Sequence, residues 1–122
     1  MRILRSDAFL YVMEPVANGT HQHVMQLFHD ETTVRLEAYR ALVELADPRF
    51  KSMREVYYDV DHTYRNFEEF ADRYCSLSYN RYSEEAVRNT KVQQRFEEHQ
   101  NSHGSYTLTQ PMRVNFYTHP KL

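Results

Sequence analysis

Residues 4–15 read Leu4-Arg5-Ser6-Asp7-Ala8-Phe9-Leu10-Tyr11-Val12-Met13-Glu14-Pro15, and this stretch decides the fold. A turn-like Arg5-Ser6-Asp7 leads into an unbroken apolar run closed by Glu14-Pro15. Such a run suits a strand covered on both faces, as inside a parallel sheet. An interior strand needs a neighbour on each side. Little chain precedes this one, so one neighbour is expected to come from another molecule or to be missing.

Beyond Pro15 the chain loops to Gly19, and Thr20 is positioned to cap a helix. Val24, Leu27 and Phe28, then Leu36, Tyr39, Leu42, Val43 and Ala46, recur at helical spacing, which predicts a helical region over 20–46. Asp30-Glu31-Thr32-Thr33 interrupts it as a kink or a break, and Asp47-Pro48 ends it. Residues 52–61 alternate as a strand, with Val56, Tyr58 and Val60 on one face and Glu55, Tyr57 and Asp59 on a wetter one. Asn66 with Glu69 forms a capping-box pattern ahead of the stripe Phe67, Phe70, Ala71 and Tyr74. Ser83-Glu84-Glu85 starts another helix whose thin stripe, Val87, Val92 and Phe96, predicts a peripheral position. The helical insertion therefore covers 66–99. The final strands cover 106–118, with a bend or an edge position at Gln110-Pro111, since Pro cannot donate to a ladder. In the last of them Met112, Val114, Phe116 and Thr118 alternate with Arg113, Asn115, Tyr117 and His119. Residues 1–122 read as one domain of layered α/β or α+β type.

Composition narrows the function. Apolar residues make up 41% and charged residues 26% of 122, with a formal net charge of −2, a globular balance. Basic residues are interspersed with acidic ones, so no nucleic-acid footprint is expected. The apolar runs fall short of the roughly 20 residues of a membrane span, and no signal peptide is visible. One cysteine, Cys75, fits a reducing, cytoplasmic setting. Only two glycines are present, which excludes a glycine-rich phosphate loop.

The opening resembles the part of class I S-adenosylmethionine-dependent methyltransferases that begins at their fifth strand. There a leucine-arginine-proline-glycine-glycine turn precedes an apolar strand ending in Glu-Pro. Here the turn stands as Leu4-Arg5-Ser6-Asp7-Ala8, without the glycines, and the strand as Phe9 to Pro15. Tyr64-Arg65-Asn66-Phe67-Glu68-Glu69-Phe70 is similar to the helical insertion before the last strand of that family, and Pro111-Met112-Arg113-Val114-Asn115-Phe116-Tyr117 to the closing strand. The resemblance implies a partial Rossmann-like sheet of about three to four strands, the last antiparallel and inserted between the other two. It also implies that the donor-binding half, with its glycine-rich loop, lies elsewhere. The isolated chain is then expected to hold no cofactor, and S-adenosylmethionine only once completed. Its expected partner is a second copy or a separate N-terminal half, paired along the edge of the first strand.

Candidate acceptor-binding residues follow. Glu14 lies at the carboxyl end of the first strand, where open α/β sheets place functional groups; it reads as substrate contact, general base, or a carboxylate bonded to the next loop. His21, near Asn18, reads as a polar pocket residue. Tyr79, Arg81 and Tyr82 read as a lid or interface between helices, or as helix packing. No metal site is expected: His21, His23 and His29 lack a recognisable further ligand, and His99 and His103 lie in a polar turn. Three functions remain open at this level: the acceptor-binding portion of a methyltransferase, a non-catalytic homodimerising or scaffold module derived from that fold, and a small-molecule pocket at a dimer interface, rich in Tyr and His, with no donor.

Overall fold

The structure, a computed structural model, describes residues 5–76 and 82–121. The elements are β1 (Leu10–Pro15), α1 (Thr20–Met25), α2 (Thr32–Ala46), a 3-10 turn (Asp47–Arg49), β2 (Phe50–Tyr64), α3 (Phe67–Cys75), α4 (Glu84–Val87), α5 (Thr90–Glu97) and β3 (Tyr106–Pro120). The described residues form a mixed α/β structure with an open three-stranded sheet of order β1-β3-β2. The last strand is central, and it runs antiparallel to β1 with Leu10 opposite Tyr117 and Pro15 opposite Met112. The chain divides into two compact units, one of Met1–Ala17, Thr32–Asp59 and Pro111–Leu122, the other of Asn18–Glu31 and Val60–Gln110. β2 and β3 contribute residues to both.

In the first unit, β1 differs from the expected interior strand. Among the described residues its one neighbour is β3, and its burial alternates. Leu10, Val12 and Glu14 face α2, while Tyr11 and Met13 are exposed. A small apolar cluster of Ala46, Phe50 and Tyr117, flanked by Leu10 and Leu42, packs on the α2 side. β3 shows no bend at Pro111. Val16 N–H donates to Pro111 O at 2.9 Å, so these two residues form a hydrogen-bonded pair just past the end of β1. The return bond from Pro111 cannot exist. The Val16 carbonyl receives Arg35 Nη1 at 3.4 Å instead. The proline's missing donor thus faces the β1 side of the ladder and removes no bond to β2.

The second unit holds the larger core, built on Val24, Tyr64, Phe67, Phe70, Ala71, Tyr74, Val87, Val92, Phe96 and Leu108. The expected helical region 20–46 is broken at 26–31. Gly19, at φ 96° and ψ 163°, precedes α1 with no side-chain cap. Thr20 is not the cap: its hydroxyl accepts from Thr109 N–H at 2.7 Å and so ties α1 to β3. Asn66 caps α3 as expected, accepting from Glu69 N–H at 2.9 Å, and the α3 stripe is buried. Glu69 does not complete the reciprocal half of the box; its carboxylate pairs with Arg65. The helix expected from Ser83 is two short helices capped by Ser83 and Asn89. Their stripe is not peripheral, because Val87, Val92 and Phe96 are fully buried against the aromatic residues of α3. Few apolar residues suffice when each is wholly enclosed.

Candidate functional site

The first unit contains a polar cluster beneath α2. Arg113 and Asn115 sit on the buried face of β3. Arg113 Nη2 donates to Glu14 at 3.1 Å, its Nε to Asn115 Oδ1 at 3.2 Å, and its guanidinium lies 3.6 Å from the centroid of the Tyr39 ring on α2. Asn115 donates to Glu55 Oε2 at 2.7 Å, where Tyr39 Oη also donates at 2.5 Å; Tyr57 Oη donates to the other oxygen at 2.6 Å. Burial pushes the Glu55 carboxyl up, but hydrogen bonds from Tyr39, Tyr57 and Asn115 and the charge of Arg113 outweigh it and hold it below the usual range. The bond to Glu55, with burial, pushes Tyr39 up to about 12. Each charged group in this cluster has a partner: Glu14 pairs with Arg113, and Glu55 is held by three neutral donors. Glu14 belongs to it through an ion pair whose two side chains are largely buried.

The second unit contains an open polar cleft of about 370 Å³ lined by Asp61, His62, Thr63, Tyr64, Glu69 and Arg73. The end of β2 supplies the first four and one face of α3 the last two. The His62 ring lies 4.9 Å from that of His21. His21, on α1, is buried and shares a 2.6 Å hydrogen bond with Tyr74 Oη. Burial raises Tyr74 far above the usual phenol range and raises Tyr64 as well. The two hydroxyls interact electrostatically, yet that of Tyr64 lacks a partner at hydrogen-bond geometry. Both tyrosines therefore stay neutral. Asp61 accepts from Thr109 at 2.6 Å and Glu69 from Arg65 at 2.8 Å, which holds both carboxylates in place.

Of the residues expected at an acceptor site, Glu14 lies in the first unit and Asn18, His21 and Tyr82 in the second. Asn18 is exposed in the loop before α1, whereas His21 is interior. Tyr82 packs by its ring on Phe28, His29 and Tyr74, at centroid distances of 5.4, 5.0 and 6.1 Å. Tyr79 and Arg81 lie outside the described residues. Among the described residues, no group of three or more His, Cys, Asp or Glu is arranged to hold a metal ion. Burial pushes the Cys75 thiol up, and the neighbouring Glu84 adds to this. Sequence reading missed Tyr39, Glu55, Arg113 and Asn115. Their one signal was the Arg113, Asn115, Tyr117 alternation, which defines a face without saying that it points inward. No helix among the described residues is long and apolar enough to cross a membrane. No protein-family model matches the chain, and no curated protein matches it.

Proposed function

We propose that this chain is the acceptor-binding half of a class I methyltransferase-like enzyme, completed by a donor-binding half that pairs along β1. The observation carrying this reading is the strand order, with the last strand central and antiparallel to the first. It matches the order that the resemblance implies for the fifth, seventh and sixth strands of that family. Among the described residues no strand pairs with the far side of β1. Methyl transfer from a sulfonium asks the protein mainly to hold the acceptor in line. Asn18, His21, Tyr82 and the His62 cleft would serve that task with Tyr79 and Arg81, in a cytoplasmic setting. Gly19 starts α1 and Gly104 lies in the turn 101–105, so neither supports a donor loop, and the donor belongs to the completed assembly.

Calorimetric titration with S-adenosylmethionine tests this. The chain alone is expected to give no binding heat. Co-expression with the product of an adjacent reading frame carrying a glycine-rich strand-turn-helix is expected to restore it. Tight binding by the chain alone, or none by the assembled pair, overturns the reading. The second reading, a non-catalytic homodimerising module, is favoured by the exposed apolar side chains on the outer face of the sheet.

A further inference from the structure

The outer face of the sheet in the first unit is apolar. Phe9, Tyr11 and Met13 of the β1 segment, Phe116 of β3, and Val56 and Tyr58 of β2 share it. The rings of Phe9 and Tyr11 lie 5.7 and 6.3 Å from that of Phe116, and the Tyr58 hydroxyl reaches Met13 across the central strand. On β3 the usual arrangement is inverted. Arg113 and Asn115 are buried beneath α2, while Phe116, on the alternate face, is exposed. Tyr117 keeps the inward face partly apolar, so with the outer series this strand is apolar on both faces, as in a sheet covered on both sides.

The open edge of β1 makes a weaker demand. Because Val16 and Pro111 are a bonded pair, alternation along an antiparallel ladder directs Glu14, Val12 and Leu10 to β3. The outward backbone groups of β1 are then those of Tyr11 and Met13, plus the carbonyl of Pro15, which has no N–H. Water satisfies so short an edge.

The geometry points to self-association through this face: two copies of the chain pack sheet on sheet, about 10 Å apart as sheets do. The area supports a second copy as occupant. At roughly 200 Å² for a large side chain, the six exposures of 36% to 65% leave about 600 Å² of apolar surface per protomer. Two such faces bury about 1,200 Å², the lower bound of a specific interface before any rim is counted. A two-fold contact needs a self-complementary patch, and this one is nearly free of charge, with Arg54 at its margin. The inference stands on the face alone and holds for either functional reading.

Sedimentation equilibrium of the full chain tests it, with circular dichroism to verify folding. Wild type is expected to be a dimer. Phe116→Glu and Val56→Lys are each expected to weaken association by about tenfold or more, since a charge would be buried without a partner. Val56 lies on β2, two strands from the open β1 edge, so pairing along that edge would be indifferent to it; it is also half-exposed on an edge strand, so this variant keeps the test valid if Phe116→Glu fails to fold. Val34→Lys, on α2 and more exposed than Val56, is expected to change nothing. A wild-type monomer at high concentration overturns the proposal, as it would if the face awaits the donor-binding half. A dimer untouched by Val56→Lys and Phe116→Glu overturns it in favour of another surface, a strand edge or the exposed side chains of α2.

Discussion

Arg113 holds more of the first unit together than any apolar residue in it. It pairs with Glu14, donates to Asn115 and stacks on Tyr39, with almost no exposure to water. Removing one partner of a buried ion pair leaves the other uncompensated. Arg113→Met is therefore expected to destabilise the chain by about 3–5 kcal/mol in urea denaturation. Arg113→Lys is expected to recover little, because an ammonium cannot fork to two acceptors while stacking. The same cluster sets a pH response. Tyr39 and Tyr117 both sit near 12, Tyr39 through its bond to Glu55 and Tyr117 through burial and then Asp47. The folded state holds these protons more tightly than the unfolded one, so their contribution is complete below pH 10 and is lost as pH rises toward about 12. Glu55 acts in the opposite sense: its contribution is present above pH 4.5 and is lost as pH falls through its depressed folded value. Glu55→Gln is expected to bring Tyr39 back toward 10 while Tyr117 keeps most of its shift, read by ultraviolet titration of the tyrosines. An unchanged titration curve would remove Glu55 as the cause. None of this was legible in the sequence, because alternation assigns Arg113 and Asn115 to one face and cannot say which face meets the core.

Elements were legible where local chemistry alone decides them. The start of α3 is written in Asn66, whose side chain meets the free N–H of Glu69, and its buried face in residues 67, 70, 71 and 74. Asn66→Ala is expected to cost about 1 kcal/mol, measured by thermal or urea unfolding. The start of α1 was misread, because both Gly19 and Thr20 are plausible there. The backbone at Gly19, φ 96° and ψ 163°, is open essentially to glycine alone, and the Thr20 hydroxyl was drawn to a strand far away in sequence. Gly19→Ala is expected to destabilise by about 1–3 kcal/mol, and Thr20→Ala to act through the β3 contact rather than through helix capping. Amide exchange separates the two: Thr20→Ala should speed exchange at Thr109 N–H more than in the first turn of α1. At Pro111 the edge alternative holds on one side of β3, since β1 has ended there. Sequence shows that a donor is missing but not that the missing donor falls where β1 has ended and Arg35 substitutes for it.

At the scale of the whole molecule the two units are unequally provided. Among the described residues the second encloses a dozen or so interlocking apolar and aromatic side chains, while the apolar cluster of the first has three buried members beside a polar cluster. Apolar burial is the main favourable term in folding, so the first unit is short of it by itself, and its outer sheet face is where the shortfall lies exposed. Covering that face supplies what its interior lacks. Whatever binds only the folded state adds stability in proportion to its concentration. Amide exchange should then depend on protein concentration in one unit and not in the other. Val12 and Asn115, in the first, are expected to slow markedly between dilute and concentrated samples. Phe70 and Leu108, in the core of the second, are expected to exchange at rates independent of concentration. Equal concentration dependence in both would mean that the chain opens as one cooperative body. No dependence in either would mean that the polar cluster around Arg113 suffices to hold the first unit without the sheet's outer face being covered.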